Sequence, residues 1–158
     1  MAKRNLKVTT LDKLKTVNST QIVELGEFDN GVMLTVEMKK LNVLKLIKNK
    51  MLPNNLLSLG TSLVDNPAAI QEEIAAGNTD GVLQALEMAD VILENTFVEP
   101  KYTELRELGI ELTTEQLNNA LIVAMSGAKA LEKFRANFQR NEDNSGSEEV
   151  QETAERDS

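Results

Sequence analysis

The 158-residue chain has no cysteine, no histidine and no tryptophan, and only three prolines. No disulfide can form, zinc and haem lose their usual thiolate and imidazole ligands, and neither a histidine-based triad nor a cysteine nucleophile can be assembled. Chemistry of any kind would have to come from carboxylates, Lys, Ser and Thr. Aromatics are scarce too, limited to Phe28, Phe97, Tyr102, Phe134 and Phe138, so the core must be mainly aliphatic. No run approaches the roughly 20 apolar residues of a membrane span. The polar start MAKRNLKVTT lacks the apolar stretch of a signal peptide, and a cytoplasmic protein is expected.

What the chain does have is leucine, 22 residues of it, within a hydrophobic fraction of 41%. That composition favours helices packed on helices, and the length suits one domain. The net charge of −8 is unevenly spread: residues 1–50 carry +5, residues 51–140 carry −7 and residues 141–158 carry −6. The last segment, NEDNSGSEEVQETAERDS, has Val150 as its one large aliphatic residue and cannot bury enough surface to offset its ordering entropy. It reads as a disordered acidic tail that solubilises the chain. Residues 1–20 read as a basic arm or a short marginal helix, with Arg4, Lys7, Lys13 and Lys15 beside a weak apolar spacing at Leu11, Leu14 and Val17. These cations could touch nucleic acid, but no aromatics are interleaved and an acidic body opposes it, so nucleic-acid binding is disfavoured.

The domain proper is expected over residues 21–140. From Gln21 to Met38 the apolar period is two, the signature of a strand. Asn30-Gly31 suits a two-residue hairpin turn. That turn sets Leu25 opposite Val36, Val23 opposite Met38 and Glu24 opposite Glu37, and gathers Val23, Leu25, Leu34, Val36 and Met38 on one face. A lone hairpin is marginal in water, so this face must lie on helices or on another chain.

The remainder reads as helical to residue 139. A first helix from Leu41 to Met51 places Leu41, Leu44, Ile47 and Met51 on one face with Lys45 and Lys48 beside them, and Pro53 ends it. A short apolar segment, Asn55 to Val64, follows. Asn66-Pro67 offers a cap with proline in the first turn, and Gly77 closes that helix. Thr79 can cap the next helix, with the stripe Val82, Leu86, Ala89, Leu93 and Phe97, and Pro100 ends that run. After a short helix to Leu108, Gly109 suits a left-handed Schellman position with Ile110 beyond it. Thr113 and Gln116 form a capping box, and Leu112 with Leu117 the matching staple. One long helix is then expected through Leu121, Ala124, Ala128, Leu131 and Phe138, with Gly127 inside it at about 1 kcal/mol relative to Ala.

No motif for catalysis emerges. Glu72-Glu73, Glu104 with Glu107, and Glu111 with Glu115 are the carboxylate pairs that could serve as acid and base, but solvated helix faces explain them. Neither GxxxxGK[ST] nor GxGxxG occurs, and Asp29-Asn30-Gly31 is a turn, not a calcium loop. The expectation is no enzyme, no cofactor and no metal. Apolar helix surface remains as the feature that could bind a partner.

Two stretches carry a resemblance. The first is the hairpin followed by a short helix and the break Lys50-Met51-Leu52-Pro53-Asn54-Asn55-Leu56-Leu57. The second is Phe97-Val98-Glu99-Pro100-Lys101-Tyr102, then Leu112-Thr113-Thr114-Glu115-Gln116-Leu117, then Gly127-Ala128-Lys129-Ala130-Leu131-Glu132-Lys133-Phe134-Arg135. In this order they resemble the tail assembly chaperones of long, non-contractile-tailed bacteriophages. The break here has one more residue before Pro53 than is usual there, Asn55 replaces a second proline, and aromatics are frequent in that family where Ile122 to Met125 stand.

The resemblance implies a protein that binds the tape measure protein, a long helical apolar chain, and keeps it soluble while tail tube subunits polymerise around it. It further implies a frameshifted longer form whose added domain recruits the tail tube protein, several copies per client, residence in the bacterial host cytoplasm and absence from the mature virion. The fold class expected is mainly α, a small helical domain with an N-terminal β-hairpin and a disordered acidic tail. Leu41, Leu44, Ile47, Leu117 and Leu121 are the candidate partner-binding residues. The rival functions are a structural virion component, such as a head-to-tail connector or minor tail protein, and a small nucleic-acid-binding regulator.

Overall fold

The computed structural model describes residues 4–17 and 20–141. The expected acidic tail therefore lies outside the described residues, apart from Asn141, which is helical. In chain order the elements are α1 (Leu11–Leu14), β1 (Gln21–Glu27), β2 (Met33–Met38), α2 (Val43–Lys48), a 3-10 turn (Asn54–Leu56) that runs into α3 (Leu57–Asp65), α4 (Ala69–Ala76), α5 (Thr79–Thr96), β3 (Phe97–Glu99), α6 (Tyr102–Glu107) and α7 (Thr114–Ser126). Residues 128–141 form a last helix, α8. The fold is mostly helical with one small antiparallel sheet of order β1-β2-β3.

The hairpin forms where expected, with a different register. Gly31 N–H donates to the Phe28 carbonyl at 2.8 Å and Phe28 N–H to the Val32 carbonyl at 2.9 Å, so the loop is three residues, Asp29-Asn30-Gly31. Only Gly31 takes positive φ, at 83°, as in a type I turn closed by a glycine bulge. A second irregularity falls between Glu24 and Gly26. The two one-residue slips add to two, so Val23 faces Val36 and Gln21 faces Met38. Because side chains alternate with period two, an even slip returns them to the same side. Val23, Leu25, Leu34, Val36 and Met38 are accordingly all buried on one face. Glu24 faces Thr35, and Glu37 lies opposite Glu99 of the third strand.

That third strand replaces the expected end of a helical run. Pro100 disfavours helical geometry at Glu99, α5 stops at Thr96, and Phe97–Glu99 joins the free edge of β2. Lys39 N–H donates to the Thr96 carbonyl at 2.9 Å and ties the junction.

Helix α2 is shorter than its apolar spacing suggests. The Asn42 side chain accepts from Lys45 N–H at 3.1 Å, which starts the helix after Leu41. At the far end Lys50 adopts φ 55° and Met51 N–H reaches back to the Leu46 carbonyl at 2.9 Å. This left-handed cap ends the helix before Pro53 is reached. Val43 and Leu46 are its buried residues, while the expected stripe of Leu41, Leu44, Ile47 and Met51 lies half-buried or exposed.

Helix α4 begins at Ala69, because Pro67 and Ala68 are used in a turn in which Asn66 Oδ1 accepts from Ala68 N–H at 3.2 Å. Gly77 closes it at φ 73°. Thr79 opens α5 with Asn78 at the cap position, and the buried face runs through Ala85, Met88, Ala89, Ile92, Leu93 and Thr96, leaving Leu86 exposed. The Schellman geometry after α6 is present, with Gly109 N–H on Arg106 and Ile110 N–H on Leu105. The capping box at Thr113 and Gln116 is complete.

The expected single long helix is two. Gly127 sits at φ 89° and ψ 169°, a region essentially restricted to glycine. Chain direction changes there before α8 begins. Helix α7 packs on β1, β2 and α5, and α5 also carries α3, α4 and α6. Leu25, Val36 and Met38 from the sheet thus share one core with Met88, Ile92, Leu93, Ala120, Leu121 and Ala124. Each large aliphatic buried this way is worth about 1.5–3 kcal/mol.

Candidate functional site

Several concave surfaces lie around this core. The first is a groove of about 390 Å³ between the start of α2, the end of α3 and the end of α7. Its floor is Val43 and Leu63, both buried, and its walls are Leu41, Leu44, Val64 and Met125, with Val17 of the arm and Lys40 at the rim. Asn42 places the wall, since its cap leaves Leu41 in extended chain where Leu41 N–H donates to the Ala124 carbonyl at 2.8 Å. Leu44 follows on the first turn with 61% of its surface exposed.

The second concavity, about 490 Å³, is bounded by α5, α6 and the start of α7 and includes Leu86, Tyr102, Ile110, Leu112 and Leu117. Its polar side is already engaged. Tyr102 donates its hydroxyl to Asp90 Oδ1 at 2.7 Å, and Arg106, 5.7 Å above the tyrosine ring, pairs with Glu94 at 3.0 Å. Burial, then the hydrogen bond to Asp90 and the charge of that carboxylate, push the Tyr102 hydroxyl well above the ordinary phenol range, against the opposing pull of Arg106. The third surface lies beside α8, where Phe134 and Phe138 stack at 6.4 Å next to Asn118 and Asn119.

The five candidate residues do not converge. Leu41 and Leu44 share the first groove, Leu117 borders the second, and Ile47 is half-buried on α2 outside both. Leu121 is 2% exposed and belongs to the core. Spacing cannot separate Leu117 from Leu121, because both fall on one helical stripe; the sheet beneath α7 buries the second. Val64, Met125 and Lys40 are groove residues that helical periodicity did not single out. A composition signal was available: residues 38–64 contain five lysines and no carboxylate.

Two of the paired carboxylates accept hydrogen bonds. Glu72 accepts from the Asn66 amide at 2.7 Å and Glu104 from Lys101 N–H at 3.0 Å. Among the described residues no group of three or more His, Cys, Asp or Glu side chains could hold a metal ion. Among the described residues no helix is long and apolar enough to cross a membrane. Compared with protein-family models, curated proteins and solved structures, the chain matches none of them significantly.

Proposed function

We propose that this chain is a phage tail assembly chaperone that binds the tape measure protein, keeps it soluble and supports tail tube assembly. The observation that carries the reading is the groove in which the exposed side chains of Leu44 and Val64 stand beside Leu41 and Met125. A client helix laid there gains about 25 cal/mol for each Å² of apolar area removed from water, with no chemistry required. The resemblance of the hairpin, the Lys50 to Leu57 break and the α7 capping box to such chaperones supports the same reading. Several copies would coat one long client, and a longer frameshifted form would recruit the tail tube protein.

Co-expression with the neighbouring tape measure gene tests it. The tape measure protein is expected in the soluble fraction, co-eluting with this chain on size exclusion. An insoluble tape measure protein and no complex would refute the proposal. Mass spectrometry of purified virions should find the chain absent; its retention there would point instead to a structural virion component.

A further inference from the structure

The groove between α2, α3 and α7 has aliphatic residues at its floor and, among its lining residues, one cation, Lys40, and no carboxylate. From residue 38 to 64 the chain carries Lys39, Lys40, Lys45, Lys48 and Lys50 and no Asp or Glu. All five lysines are exposed, and none is ion-paired among the described residues. Lys40 lies at the groove rim, and Lys45 follows Leu44 in sequence on α2, outside the groove lining. The nearest carboxylates in sequence are Glu37, three residues before Lys40, and Asp65, directly after Val64; neither lines the groove. The rest of the body has the opposite sign, net −7 over residues 51–140. An acidic ligand is repelled by most of this surface and attracted at the groove.

The geometry points to an acidic amphipathic helix as the occupant: aliphatic anchors at i, i+3 or i+4 and i+7 seated against Leu41, Leu44 and Val64, with Asp or Glu beside them reaching Lys40. In the chaperone reading, on which the identity of the client rests, this is the chemistry of the tape measure segment that is bound. A nucleic acid has the charge but no aliphatic anchors for Val43 and Leu63.

Two synthetic amphipathic peptides of about 18 residues, long enough to form helix, with one leucine stripe and either Glu or Lys flanks, are titrated against the full chain by fluorescence anisotropy. The Glu peptide is expected to bind about tenfold tighter or more at low salt, with the gap narrowing at high salt as charges are screened. Leu44→Glu and Lys40→Glu, both at exposed positions and checked by circular dichroism, should each weaken it by about tenfold, and Leu83→Glu on α5 should leave it unchanged. Equal binding of the two peptides overturns the inference, as does indifference to either groove variant or equal competition by single-stranded DNA of the same charge. Peptide capture without a soluble tape measure protein removes the chaperone reading and leaves the groove. Solubilisation that survives both groove variants does the reverse.

Discussion

Gln116 is fully buried and makes three hydrogen bonds. Its backbone N–H donates to Thr113 Oγ1, its Oε1 accepts from Thr113 N–H, and its Nε2 donates to the Gly26 carbonyl at 3.0 Å. Asn119 does the same for the Leu25 carbonyl at 2.7 Å, and Arg135 for that of Glu24 at 2.6 Å. Three successive carbonyls of edge strand β1 are thus satisfied by side chains, where an unpaired edge would invite another strand. Gln116→Ala should cost about 2–3 kcal/mol in urea unfolding, from a lost cap and an orphaned buried carbonyl. Gln116→Glu keeps the capping acceptor yet sets a carboxylate against that carbonyl, so it too should destabilise at neutral pH and recover as acid protonates it. Tyr102 gives a second test. Its folded-state value is raised, so past about pH 10 the unfolded chain loses the phenol proton first and stability falls with rising pH. Tyr102→Phe should cost about 1 kcal/mol at pH 7 through the lost Asp90 bond and flatten that alkaline decline.

At the scale of elements, Gly127 decides whether one helix or two follows the capping box. Read as a glycine inside a helix, replacement by Ala should stabilise. At φ 89° and ψ 169° the sign reverses: Gly127→Ala should destabilise by about 1–3 kcal/mol, measured by urea midpoint, through backbone conformation alone. Nothing lies within 4 Å of the added Cβ, so no clash confuses the result. The caps at Thr113 and Gly109 were legible in the sequence because their partners lie within four residues. The hairpin face was legible because alternation survives an even slip. The register, the third strand and the break at Gly127 were not, since each is set by what packs against the segment.

At the scale of the whole molecule, charge is segregated along the sequence of a chain with an aliphatic core. Removing residues 142–158 takes the net charge from −8 to −2. A chain ending at Asn141 is expected to keep its urea midpoint and to precipitate at a lower concentration near neutral pH, as turbidity would record. At this scale the candidate site was half legible. Leu41 and Leu44 stand in one groove, Leu121 is core and Leu117 borders another surface, a division that apolar spacing along each helix does not carry.

By itself, the sequence determined the helical class, the hairpin's buried face, the capping box, the Schellman turn and the absence of His and Cys chemistry. Those depend on residue type and on neighbours a few positions away. Tertiary structure alone decided the strand register, the edge carbonyls held by Gln116, Asn119 and Arg135, the split at Gly127 and which leucines face outward. Each of these is a competition between distant segments for the same buried space, and local periodicity carries no term for the segment that wins.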